Sequence, residues 1–141
     1  MAITSAIANS FKQELLVEGH NFTNGADSIK LALYTSSATL GAGTTVYVTT
    51  GQGTGTNYSA GGNALTNVTP ALSGSVAICD FADLTFGTAT VTARGCLLYN
   101  STNGNKAIAA IDFGGDKTST AGNFTIVFPA ANATAAIIRL A

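Results

Sequence analysis

The sequence predicts a mainly β fold, an antiparallel β-sandwich or jelly-roll-like domain preceded by a short N-terminal helix. Three observations predict it. Short runs of alternating apolar and polar residues recur along the chain, separated by Gly, Asn and Pro turn signals. Helical spacing is confined to one stretch, which argues against the strand-and-helix alternation of a parallel α/β fold. With 141 residues, 46% of them apolar, the chain has the size of one domain and can bury roughly two-thirds of its unfolded surface. The expected organisation is one unit over 1–141, with the helix at 4–18 and the β-domain at 28–141.

The helix is read from Ile7, Phe11 and Leu15, which recur every fourth residue while Lys12, Gln13 and Glu14 take the remaining surface. Thr4 or Ser5 is the expected cap. Gly19 is the expected stop, because the position after a last turn often needs a left-handed backbone. Asn24 and Gly25 mark a turn. Ile29, Leu31 and Leu33 then alternate with Lys30, Ala32 and Tyr34, the pattern of a strand over 29–34 with one face buried. A small-residue loop follows, with a short strand candidate at 45–49 in which Val46 and Val48 oppose Tyr47.

Pro70 argues against a central strand near 67–74. Short strands are expected at 75–81 and 83–86, and a longer one at 89–100 in which Gly95 marks a bulge. Asn103 and Gly104 form the turn of the clearest hairpin, joining 89–100 to 106–113. A Gly114, Gly115 and Asp116 turn leads to a strand at 123–128, closed by Pro129, and the terminal strand is expected at 135–140.

Composition narrows the partners. Only 9% of the residues are charged and the formal charge is −1, so little long-range repulsion keeps copies apart and an assembly is expected. The basic residues Lys12, Lys30, Arg94, Lys106, Lys117 and Arg139 are scattered, whereas a nucleic-acid partner demands a basic patch. No apolar run reaches the ~18 to 20 residues that span a bilayer, so neither nucleic acid nor membrane is an expected partner. Lys12, Gln13 and Glu14 interrupt the apolar start of the chain, unlike a secretory leader. Synthesis in a cytoplasm is expected, with Cys79 and Cys96 reduced and packed as small apolar side chains.

The chemical inventory is short. From Leu31 to Asn67 there is no Lys, Arg, Asp, Glu, His or Cys, so this tract offers backbone groups and small side chains to a partner and no acid–base chemistry. Gly51, Gly53 and Gly55 alternate, but a phosphate cradle also needs a following helix and a Lys-Ser/Thr or ribose-binding acid, which are missing. His20 would have to supply every imidazole role of a nucleophilic site, and as a turn residue it reads as solvated or capping. Asp80 and Asp83 could form a carboxylate pair, yet with no Trp to platform a sugar they read as turn residues, as do Asp112 and Asp116. No catalytic residue, cofactor or metal is expected, and the chain is not read as an enzyme.

The runs Leu33-Tyr34-Thr35-Ser36-Ser37-Ala38-Thr39-Leu40 and Tyr58-Ser59-Ala60-Gly61-Gly62-Asn63-Ala64-Leu65 resemble a group of small structural proteins of tailed bacteriophages, in which a strand like LALYTSSA precedes a GTGYxAGGxxL segment. The start of the chain (MAI and SFKQELL) and the later GCLLYN and AIAAIDFGG are similar to the same group. The resemblance implies a virion protein, a head decoration or cement protein on the capsid exterior that binds the major capsid protein and clusters with copies of itself, a trimer being the usual arrangement. A tail- or fibre-associated module binding a host receptor or glycan is the alternative. The expected partner contacts are Phe11 and Leu15 on the helix and Tyr47, Tyr58, Gly61 and Gly62 in the loop, the tyrosines because interfaces favour them. Asn57 stands where the pattern has glycine before Tyr58, so the loop is expected to take a different course there.

Overall fold

A computed structural model describes residues 2–141. Two antiparallel sheets form a β-sandwich. The larger holds β1 (Ala6–Ile7), β8 (Lys106–Ile126), β7 (Leu84–Asn100), β2 (Ile29–Tyr34) and β4 (Asn63–Ala64) in that spatial order, with β3 (Gly55–Thr56) also paired to β7. The smaller holds β5 (Asn67–Ser73), β6 (Val76–Phe81) and β9 (Ile138–Leu140), with β6 central. The short helix α1 (Asn9–Leu15) precedes β2.

The strand expected at 29–34 forms with those bounds, but both of its faces are buried. Leu31, Ala32, Leu33 and Tyr34 have no exposure. Cross-strand partners share a face, so Ala32 and Tyr34 lie with Leu97 and Gly95, while Leu31 and Leu33 lie with Leu98 and Cys96. The loop 35–62 folds back over the first face, where Tyr47 stacks on Tyr99 with ring centroids 4.7 Å apart. Full burial of each of Leu31, Leu33, Leu97 and Leu98 contributes about 1.5–3 kcal/mol relative to exposure, which makes this central pair of strands the core. Phe22, Phe81 and Phe128 extend that core toward the smaller sheet, with Phe81 5.5 Å from Phe128 and 6.2 Å from Phe22.

The helix is shorter than expected. Residues 4–8 do not join it, because Ala6 and Ile7 pair with Ala110 and Ala109 of β8. The cap is Ala8, without a side-chain hydrogen bond, rather than Thr4 or Ser5. Ser5 instead accepts the backbone N–H of Asp112, so a strand edge captured the residues expected to cap the helix. Beyond the helix, Glu18 takes the left-handed backbone (φ 58°), and the Gly19 N–H donates to the Glu14 carbonyl at 2.7 Å.

Two expected breaks became bends within longer strands. β7 runs through Gly87 and Thr88, with register shifts there and at Arg94, and so includes the bulge expected at Gly95. β8 runs through Gly114, Gly115 and Asp116, because both strands continue and stay paired on either side. Arg94 alone lies opposite residues 113–116, and Gly114 takes φ 78°. Asp112 organises this wide bulge, accepting from Arg94 Nε and from the Gly114 N–H, each at 3.0 Å. Those two bonds hold its carboxyl below the usual range, the Gly114 N–H contributing most.

The candidate at 45–49 is an extended segment with one bridge, Val46 to Lys106. Its residues alternate as expected, with Val46 and Val48 exposed and Tyr47 turned inward. Pro70 sits within β5 after all, but on an edge strand whose register shifts between Val68 and Ala71, where a missing N–H costs no ladder bond. Cys79 and Cys96 are both free and buried. Burial pushes the Cys79 thiol up to about 12 and raises that of Cys96 further, so neither forms a thiolate at neutral pH.

Candidate partner-binding surface

The uncharged loop is held by tyrosine hydroxyls. β4 pairs with β2 only at Lys30 and Leu31, so β2 has an open edge beyond that point. The Leu33 N–H donates to the Tyr58 hydroxyl at 2.7 Å, and the Leu33 carbonyl accepts the Gly53 N–H at 2.8 Å. Loop atoms thus replace a missing strand. Gln52 ties the two sides together, donating to Tyr58 at 3.1 Å and accepting from Tyr47 at 2.5 Å. Tyr34 donates to the Val48 carbonyl at 2.5 Å and Tyr99 to the Gly61 carbonyl at 2.7 Å. Burial raises the Tyr34, Tyr58 and Tyr99 phenols, Tyr99 to about 12. Asn57 takes φ 57°, a backbone that asparagine shares with glycine, so its presence before Tyr58 does not force the different loop course expected.

The helix is fastened by a polar cluster. His20, expected in solvent, has a side chain with no exposure. Its Nε2 lies 3.4 Å from Glu14 Oε1, and its Nδ1 lies 3.1 Å from Asn100 Nδ2. An amide nitrogen only donates, so Nδ1 is the acceptor and Nε2 carries the proton toward Glu14. Asn100, itself without exposure, also donates to Asp27 Oδ2 at 2.7 Å and accepts the N–H groups of Thr102 and Asn103. Lys106 completes the group, its Nζ 3.4 Å from Glu14 Oε2. The cluster links helix, turn and hairpin.

Asp80 and Asp83 both bond backbone N–H groups. Asp80 is buried and its Oδ1 accepts the Phe81 N–H, while Asp83 accepts the Phe128 N–H. Burial raises the Asp80 carboxyl. Among the described residues, no group of three His, Cys, Asp or Glu side chains is placed to hold a metal ion.

Exposed apolar surface concentrates elsewhere. One open groove of about 600 Å³ runs beneath the second half of β8, walled by Phe113, Phe124, Ile126 and Phe128 with Lys117 at its side. A second, of about 400 Å³, lies between α1 and β9 and is walled by Ile7, Leu15, Leu16 and Leu140, with Lys12 and Arg139 beside it. Ile137 lines both, so the two grooves adjoin. Val127 on the first and Leu16 and Leu140 on the second stand out with exposures of 73, 86 and 57%.

The six residues expected to make partner contacts are distributed unevenly. Phe11 and Tyr58 are core side chains, at 1% and 8% exposure, and Gly61 and Gly62 are buried under the loop. Leu15 and Tyr47 are half-buried; Leu15 reaches the second groove and Tyr47 does not. The grooves bring together Phe11, Leu15 and residues absent from that expectation, above all Leu16, Phe113 and Phe124. A signal existed for Leu16, an apolar position off the Ile7, Phe11 and Leu15 stripe. For the approach of Phe113 to Phe124 there was none, since it depends on the bulge; their rings lie tilted with centroids 6.3 Å apart. Compared with protein-family models, curated proteins and solved structures, the chain matches none.

Proposed function

We propose that the chain is a structural protein of a tailed-bacteriophage virion, a head decoration protein that lies on the capsid exterior and ties neighbouring major capsid subunits together. The observation that carries this reading is the pair of adjoining apolar grooves on a surface otherwise poor in charge. Contiguous exposed apolar surface marks sites of protein contact. Hydroxyl, amide and backbone groups around it supply hydrogen bonds without the desolvation cost of burying ions. The resemblance of the LALYTSSA and YSAGGNAL segments to phage structural proteins supplies the context. Synthesis in the host cytoplasm and assembly onto the shell follow from that context, and many weak contacts repeated over a lattice sum through avidity.

A binding role is also supported by what His20 does. The single imidazole of the chain is enclosed and committed at both nitrogens, which leaves it no substrate proton to move.

Copy number in purified virions, measured by quantitative mass spectrometry, tests the proposal. Copies in the hundreds, lost from the head surface together with resistance to heat or dilution when the chain is omitted, are the expected result. A handful of copies at the tail would instead favour a receptor-binding module.

A further inference from the structure

The adjoining grooves raise the question of what covers them. The helix stripe is satisfied by the chain's own domain, with Phe11 buried, yet Leu16 and Val17 project beyond it at 86 and 63% exposure. Leu16 lines the second groove and Val17 is its exposed chain neighbour, so the two present an apolar knob there, and Glu18, exposed, follows them directly. The first groove, with its phenylalanine walls, is the matching socket. We propose that copies of this chain associate through this face, with Leu16 and Val17 of one copy seated in the groove walled by Phe113, Phe124 and Ile126 of the next, and Glu18 set against Lys117.

Charge favours this occupant. Lys12, Lys117 and Arg139 line the two grooves and no carboxylate does. Among the described residues, Lys106 and Arg94 have acidic partners at 3.4 and 3.0 Å, whereas these three cations have none within ion-pair distance. The incoming surface therefore needs apolar side chains with an acid beside them. Leu16, Val17 and Glu18 have that chemistry. Knob and socket lie around one shared residue, Ile137, and a patch that carries both halves of a contact is self-complementary.

Area agrees. Leu16, Val17, Val127 and Leu140 each expose on the order of 100 Å² that burial would remove from water. With the groove walls the patch reaches the several hundred Å² per partner found at the lower end of specific interfaces. A reciprocal pair and a closed ring both seat the knob in the socket; the joint is the same.

The inference goes beyond the proposed function, which takes the shell and not a second copy as the partner, and its test needs no particles. Sedimentation of the purified chain over a concentration series should show mass rising above the 14.1 kDa monomer. Leu16→Asp or Val127→Asp, both at exposed side chains, should hold the chain at monomer mass while circular dichroism shows the fold intact. Glu18→Lys and Lys117→Glu should each weaken association about tenfold, and the double reversal should recover it to within about threefold. A monomer at every concentration overturns the proposal. So does an oligomer indifferent to Leu16→Asp, or single reversals that the double change does not rescue. Failure here leaves shell binding standing, because decoration can proceed from monomers; loss of shell binding by a chain that still self-associates leaves this joint standing.

Discussion

His20 shows how one residue can couple pH to stability. Burial, the largest influence, lowers its affinity for protons below the ordinary 6.5, against the opposing pull of Glu14. The unfolded chain therefore takes up this proton at higher pH than the folded one. Stability supplied by the neutral ring is complete above about pH 6.5 and is lost as pH falls through the lower folded value. Protonation at Nδ1 would also set two donors against each other, His20 facing Asn100. Urea midpoints should fall from pH 7 to pH 5, and His20→Gln should flatten that slope. Gly62 makes a second prediction at this scale. It has φ 69°, and an added Cβ would lie 1.7 Å from the Leu31 carbonyl oxygen, an overlap that no rotation of a side chain relieves. Gly62→Ala should cost at least ~2 to 3 kcal/mol by forcing β4 away from β2, read as a lower urea midpoint.

Among the elements, the tyrosine-held loop and the short helix depend on tertiary contacts. Tyr58→Phe keeps the ring but strands the buried Leu33 N–H, which should cost about 1–3 kcal/mol. Ionisation of these phenols should also loosen the loop. An unfolded tyrosine loses its proton near 10.0, the buried ones only above that, so the stability they supply is present below pH 10 and lost as pH rises through about 12, the value for Tyr99. Absorbance titration should show Tyr34, Tyr58 and Tyr99 ionising together with unfolding. The helix has seven residues, too few to persist alone, and no side-chain cap. Phe11 holds it, at 1% exposure, so Phe11→Ala should cost about 3–5 kcal/mol and reduce the helical signal measured by circular dichroism.

For the whole molecule, burial predicts a gradient of protection. β2, its partner at 95–100 and the β8 segment 107–110 beyond it are buried on both sides, whereas the outer parts of β7 and β8 leave one face exposed, tied by surface pairs such as Thr92 to Thr118 at 2.8 Å. Amide exchange should be slowest at Leu31, Leu33, Leu97 and Leu98 and fastest around Gly114, Gly115 and Thr120, which open without global unfolding. Assembly through the grooves would slow exchange near Val127 and Leu16 and leave the central strands unchanged.

Much of this architecture was legible in the residues. Alternation marked β2 with the correct bounds, and Asn103 and Gly104 marked the central hairpin, because each depends on local periodicity or turn geometry. Residues 4–8, the long bent strands β7 and β8, and the enclosure of His20 depended instead on partners distant in the chain. An open β8 edge took Ala6 and Ile7, expected in the helix, as a strand, and paired continuations made a bend of the glycines at 114 and 115. The candidate surface divides the same way: the sequence determined that Leu16 and Val17 were apolar off the helical stripe, but only the tertiary structure decided that Tyr58 is core and that Phe113 meets Phe124, since burial is a property of what lies opposite.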